Sequence, residues 1–187
     1  VLPVGVDAQG PAIITSIDEL TADVLRVRLR CAEPFEVRPG QYVTLFRPDG
    51  LGRSYSIAAS TAAGELELHV RCLPDGKMSE WLRNEARPGD TVRVLGPSGE
   101  CFYVPGRPEQ PLLLIGTGTG LAPLYGILHD ALAHGHAAPI HLVHGAVRPS
   151  GLYLQDELTR LAETNANISY MPTTLEADGP IDQFVLK

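Results

Sequence analysis

From Ala12 to about Val104 apolar and polar positions alternate with a period of two. Leu25, Val27 and Leu29 alternate with Arg26, Arg28 and Arg30, and Leu66, Leu68 and Val70 with Glu65, Glu67, His69 and Arg71. Successive side chains of a strand point to opposite faces, so the pattern predicts strands with one face in a core and one in water. Further strands are predicted over 12–17, 42–47, 54–59, 91–95 and 101–104. Between them stand Pro39-Gly40, Pro48-Asp49-Gly50, Pro88-Gly89 and Pro97-Ser98-Gly99, which join a preset φ to a residue that accepts positive φ, as tight turns require. Many short strands with regular turns make an antiparallel barrel or sandwich. The one helical interruption is MSEWLRNEA, residues 78–86, where Trp81 and Leu82 are expected to pack against the strands.

The texture changes after PGRPEQP, residues 105–111. Leu112, Leu113, Leu114 and Ile115 form a continuous apolar run, as in a parallel strand covered on both faces. A helix over about 121–134 follows, then a strand at 140–144, a helix carrying Leu154, Leu158 and Leu161, and a short strand near 168–171. Strands alternating with helices make a parallel sheet with crossover connections. Two domains are therefore predicted, 10–105 and 106–187, joined near residue 107 and preceded by a linker or tail over 1–9. Doubly wound sheets usually carry five or six strands. The second domain shows only three, and GPIDQFVLK reads as the start of a further crossover helix, so its C-terminal part is expected to be missing.

The chain has 187 residues, 44% hydrophobic and 20% charged, the composition of a globular protein. Its formal net charge of -7 argues against a nucleic-acid partner, which needs clustered Lys and Arg. No apolar run approaches the roughly 20 residues of a membrane helix, and the N-terminal stretch has neither the basic start nor the apolar core of a signal peptide. Cys31, Cys72 and Cys101 are too widely spaced for a metal or iron–sulfur pattern. They are expected to be reduced, buried and cytoplasmic, and no metal site is expected.

Candidate chemistry begins at GTGTGLAP, residues 116–123. A strand, a glycine turn and a helix start form a phosphate-binding geometry, because the free N–H groups and partial positive charge of the first helical turn face the anion. Pro123 suits a first turn. Gly116, Gly118 and Gly120 follow G-x-G-x-G rather than the usual dinucleotide spacing, and no carboxylate follows at the ribose-binding distance. On these residues alone the glycines also fit a turn required only for packing. In GRSYSIAAS, Arg53 and Tyr55 share a strand face and Ser56 lies on the other or at a bulge. An arginine can clamp a phosphate and a tyrosine can support a flat ring, or both can be ordinary surface residues. In PDGKMSEWL, Ser79 is a plausible helix cap near Gly76, and that helix end could hold a second phosphate or simply be capped.

Together these stretches resemble the flavin and pyridine-nucleotide reductases of the ferredoxin:NADP reductase superfamily, particularly reductase components of bacterial oxygenases. The resemblance covers about residues 10–187 and rests on Arg53-Ser54-Tyr55-Ser56, on Gly76 and Ser79, on GPSG at 96–99 and on GTGTGLAP, in order and spacing. It implies a Greek-key FAD-binding barrel followed by a parallel α/β NAD(P)-binding domain. Arg53 would then contact the FAD pyrophosphate, Tyr55 pack on the flavin and ribityl region, and Ser56 hydrogen-bond near flavin N5 as the one side chain touching the reaction. His69 and Val70 would line the flavin pocket, and Gly76, Lys77, Met78 and Ser79 would hold the pyrophosphate. Gly116, Thr117, Gly118, Thr119, Gly120 and Pro123 would form the NADH or NADPH site. Hydride would pass from nicotinamide to flavin, and electrons would leave singly to an iron–sulfur or oxygenase partner.

The chain departs from the family pattern at Val147, where an arginine commonly follows G-A; Arg148, one place later, is the candidate for the adenosine ribose or 2′-phosphate, with NADH preferred. Neither the C-terminal elements that flank the nicotinamide nor an iron–sulfur cysteine cluster is present in these residues. A reductase releasing reduced flavin and a non-catalytic binding module are the alternatives. Elsewhere His134 and His136 are expected at a helix end, His141 and His144 in the interior, and Asp156 with Arg160 as a surface pair.

Overall fold

The computed structural model describes residues 8–33 and 35–181. The first lobe contains β1 (Ala8–Thr21), β2 (Val24–Cys31), β3 (Tyr42–Phe46), β4 (Gly52–Ser60), β5 (Glu65–Arg71), α1 (Lys77–Asn84) and β6 (Thr91–Ser98). Its strands close into an antiparallel barrel in the order β1-β2-β5-β4-β3-β6. The period-two pattern fixes which face goes inward: Leu25, Val27, Leu29, Leu66, Leu68 and Val70 are all buried. On the outside, register sets Arg28 opposite Glu67 and Arg30 opposite Glu65, with ion pairs of 3.0 and 2.8 Å. Such cross-strand pairs contribute a few tenths of a kcal/mol each. Trp81 and Leu82 pack α1 onto the barrel core.

The second lobe holds β7 (Leu112–Thr117), α2 (Leu121–Ala133), β8 (Ile140–Ala146), α3 (Gln155–Thr164), β9 (Ile168–Thr174) and a short α4 (Leu175–Asp178). The three strands form a parallel sheet in the order β7-β8-β9. Its core joins Leu114, Ile140, Leu142 and Ile168 to Leu121, Leu128 and Leu158 of the helices, while Leu113 and Met171 on the opposite face stay exposed. No helix among the described residues is long and apolar enough to cross a membrane.

The lobes meet where α2 crosses β4. A Cβ on Gly126 would lie 2.6 Å from Pro39 Cβ and 3.0 and 3.1 Å from the carbonyl oxygens of Ala58 and Ile57, so the helix touches the barrel backbone directly. Val24 of the barrel and Tyr103 of the connection are buried in the second lobe's core.

Several expectations are corrected. Residues 101–104 form no strand; β6 pairs with both β1 and β3 and closes the barrel, which leaves no edge for another. β1 starts at Ala8, paired with Gly96, so residues 8 and 9 belong to the barrel, and 1–7 lie outside the described residues. Of GPIDQFVLK, residues 179–181 are not helical and 182–187 lie outside the described residues. Leu154 precedes α3 in a left-handed conformation (φ 58). The three cysteines are free, but Cys101 is exposed and Cys72 half-buried. His141 is exposed, because it faces the uncovered side of the sheet. Arg160 Nε donates to the main-chain carbonyl of Asp156 rather than to its carboxylate.

Candidate functional site

β4 is paired unevenly. On one side Gly52–Ser56 pair with Phe46–Tyr42 of β3. On the other, pairing with β5 begins only at Ile57 opposite Leu68. Between Arg53–Ser56 and His69–Arg71 the two strands form no ladder pairs, and this slot in the pairing of the barrel wall leaves main-chain groups free to bind a ligand or water. Tyr55 stands beside the slot, partly buried against the barrel core, and burial pushes its hydroxyl up to about 12. Arg53 is exposed, and among the described residues its guanidinium donates only to the carbonyl of Gly52 at 2.8 Å. Ser54 shares a hydrogen bond with Thr44 on the outer face (3.0 Å), and Ser56 is half-buried opposite Tyr42.

The side chains of His69 and Val70 do not line the slot. Val70 is fully buried in the barrel core. His69, 3% exposed, turns toward the second lobe and meets Tyr153 Oη at 3.2 Å and Glu67 Oε1 at 3.0 Å. Only their main chain borders the slot.

Gly76, not Ser79, caps α1, whose first-turn N–H groups receive no side-chain cap. The Ser79 hydroxyl donates to the Gly76 carbonyl at 2.9 Å and accepts from Leu73 N–H at 3.4 Å. A Cβ on Gly76 would sit 2.5 Å from Ser79 Oγ, so packing accounts for that glycine. Met78 is buried in the core. Arg47 donates to the Lys77 carbonyl (3.0 Å), tying the β3–β4 turn to α1.

A second opening, a cleft of about 550 Å³, lies at the C-terminal ends of β7, β8 and β9, where parallel sheets bind ligands. The chain passes from β7 through a tight turn at Gly118–Gly120 into α2. The three glycines differ in what requires them. A Cβ on Gly116 would meet Leu124 Cδ1 at 2.8 Å and the Gly120 carbonyl at 2.9 Å, a packing requirement. Gly118 is left-handed at φ +52. Gly120 has an ordinary helical conformation (φ -60, ψ -15) and nothing within 4 Å of a Cβ, so neither backbone nor packing demands a glycine there. The cleft takes Thr117, Gly118 and Thr119 from the turn, Thr21 and Arg71 from the barrel, and Arg148 after β8. Arg148 pairs with Glu176 at 2.8 Å. Pro123 lies in the first turn of α2.

Behind the turn, His144 stands opposite Gly116 and is fully buried. Its Nδ1 meets Tyr170 Oη at 3.2 Å, while Nε2 is buried with no hydrogen bond of good geometry among the described residues, the Gly118 main chain lying close to the ring. Burial drives its pKa from 6.5 to about 4, against a smaller opposite effect of Gly118. The unfolded chain therefore takes up a proton on this residue before the folded one does. Stability is predicted to fall as pH drops from 6.5 toward 4, by up to about 1.4 kcal/mol per pH unit from this group. His129, lowered by burial, adds to the trend. Urea unfolding at pH 7 and pH 5 checks this: His144→Gln should show a shallower pH dependence than wild type.

The sequence reading did not single out Gly126, Arg71 or Tyr153. A glycine inside a helical pattern is a signal of close packing, and Gly126 carries it.

The molecule thus has two lobes, an antiparallel barrel with unpaired main chain between β4 and β5 and a parallel sheet with a cleft over its glycine turn. Residues 11–103 match the oxidoreductase FAD-binding domain family and residues 114–183 the oxidoreductase NAD-binding domain family. The chain belongs to the ferredoxin reductase family. It is 38% identical over 168 residues, 89% of its length, to the ferredoxin–NAD(P)(+) reductase component of a Ralstonia naphthalene 1,2-dioxygenase/salicylate 5-hydroxylase system, covering 50% of that protein. It is 36% identical over 168 residues to a probable flavin reductase of Vibrio harveyi, with 86% of this chain and 70% of the relative covered. Among solved structures, an Amycolatopsis cytochrome P450 reductase superposes with a TM-score of 0.84 at 35% identity, covering 96% of this chain and 58% of the other. The chain spans about half the length of several curated relatives it matches.

Proposed function

We propose that this chain forms the FAD- and NAD(P)H-binding part of a reductase that takes electrons from a reduced nicotinamide and passes them singly to an iron–sulfur or oxygenase partner. The observation that carries this reading is the pair of openings, a slot where β4 and β5 part and a cleft over the glycine turn, on lobes packed together through Gly126. The working units are the barrel with its connection, residues 8–105, and the region 106–187. Bound in the slot, FAD would supply the redox chemistry that no side chain provides, accepting electrons as a pair and giving them up one at a time.

The chain's own residues bind and orient. The Arg53 guanidinium, without a carboxylate partner among the described residues, is free to grip a pyrophosphate through two parallel hydrogen bonds. The uncapped first turn of α1, over Lys77, Met78 and Ser79, offers N–H groups to the same anion. Tyr55 supports the flavin ring, and the main chain of His69 and Val70 borders it. In the cleft Thr117, Gly118 and Thr119, with Gly120 beside them at the start of α2, admit a nucleotide phosphate close to the backbone. Glu176, paired with Arg148 at 2.8 Å, puts a carboxylate beside the arginine that would meet a 2′-phosphate, which favours a ribose hydroxyl, hence NADH over NADPH. The three free thiols suit a reducing cytoplasm.

Ser56 is proposed to orient the flavin through its hydroxyl. Ser56→Ala is expected to slow flavin reduction about 3- to 10-fold, the loss of one hydrogen bond, while FAD content stays unchanged. Stopped-flow reduction by NADH measures this, and an unchanged rate removes the role.

A second reading, a reductase that releases reduced flavin, is favoured by the likeness to the Vibrio harveyi relative. Gel filtration of the full-length protein separates the two: stoichiometric FAD retained on the protein supports the electron-transfer reading, and colourless protein supports the alternative.

A further inference from the structure

Tyr153 sits just after the loop that carries Arg148 and just before left-handed Leu154, and is 1% exposed. Two histidines meet its ring edge-on. His69 of the barrel lies at 5.2 Å and 89°, and His144, behind the glycine turn, at 5.5 Å and 81°. The carboxylate of Glu67 accepts only, so His69 Nε2 donates to it at 3.0 Å, and in the neutral imidazole Nδ1 accepts the Tyr153 O–H at 3.2 Å. Arg26 and Arg28 hold Glu67 at 3.1 and 3.0 Å. One phenol thus joins the barrel's ion-pair ladder to the strand beneath Gly118.

The cleft is built from three walls: barrel residues such as Arg71, the glycine turn, and the loop around Arg148. Tyr153 contacts the support of each, through β5, through His144 and through its own chain. We propose that Tyr153 is a positioning residue whose hydrogen bond to His69 holds these walls in the spacing that a nicotinamide dinucleotide requires. This rests on reading the cleft as the nucleotide site.

The test compares two tyrosines of the same lobe with the same bond. Tyr103 is also buried and its hydroxyl meets His136 Nδ1 at 3.1 Å, but His136 lies in the connection from α2 to the start of β8, at the end of the sheet away from the cleft. In the full-length FAD-loaded protein, NAD⁺ affinity measured by calorimetry is expected to weaken about 2- to 10-fold in Tyr153→Phe, the effect of one lost hydrogen bond, and to stay at the wild-type value in Tyr103→Phe. Amide exchange over residues 148–154 should quicken in Tyr153→Phe alone. His69→Phe, which also removes the bond to Glu67, should weaken NAD⁺ binding at least as much, and the double variant by no more than His69→Phe alone, since the Tyr153 bond is already gone. Wild-type affinity in Tyr153→Phe, or equal weakening in Tyr103→Phe, overturns the positioning role and leaves the cleft reading standing. A wild-type protein that binds no NAD⁺ overturns the cleft reading itself, and the positioning role with it.

Discussion

Arg53→Ala is expected to weaken FAD binding about 10- to 100-fold, because hydrogen bonds to a charged partner contribute roughly 1.5–3 kcal/mol. The protein's stability without flavin should change by less than about 0.5 kcal/mol, since Arg53 is exposed and its one side-chain hydrogen bond among the described residues goes to the neighbouring Gly52 carbonyl. This separation of binding from folding distinguishes a ligand-gripping arginine from an ordinary surface one. Arg53→Lys should fall between, keeping the charge but not the two-pronged fork. Fluorescence titration of the apoprotein with FAD, beside a urea melt, gives both numbers. Unchanged FAD affinity in Arg53→Ala would remove the arginine from the site.

Gly126→Leu should destabilise the protein by about 3 kcal/mol, the upper part of the range for overpacking. The atoms a Cβ would strike are the Pro39 ring and the carbonyls of Ile57 and Ala58, none of which can swing aside. Leucine is a better helix former than glycine by roughly 0.8 kcal/mol, so any loss must come from the lobe contact rather than from the helix. Gly120→Ala is the control: its conformation suits alanine and the space is open, so stability should hold or rise by about 0.4–1 kcal/mol. Urea unfolding of the two variants checks the contrast, and a Gly126→Leu melt that matches wild type would mean the lobes do not depend on this approach.

The barrel was readable wherever burial followed strict alternation. Leu25, Val27, Leu29, Leu66 and Leu68 point inward as the period-two pattern requires. The same pattern assigns His69 and Arg26 to water, yet His69 is 3% exposed and the Arg26 side chain 19%. Local alternation reports which face leaves the barrel, not that a second lobe covers it. CFYV at 101–104 has the composition of a strand, but Tyr103 is buried against α2 and β8 instead of in the barrel, a non-local fact. GTGTG was legible as a close-approach turn; that Gly116 serves packing, Gly118 a left-handed turn and Gly120 open space depends on neighbours distant in the chain. Ser79 had the residue type of a cap, but the helix begins earlier, at Lys77, and its hydroxyl turns back to the Gly76 carbonyl.

The most direct test is an anaerobic titration of the full-length, FAD-loaded protein with NADH, followed by absorption. The account predicts that the oxidised flavin band bleaches in proportion to NADH added and returns when an iron–sulfur acceptor is supplied. A flavin that stays oxidised in the presence of bound NADH would contradict it.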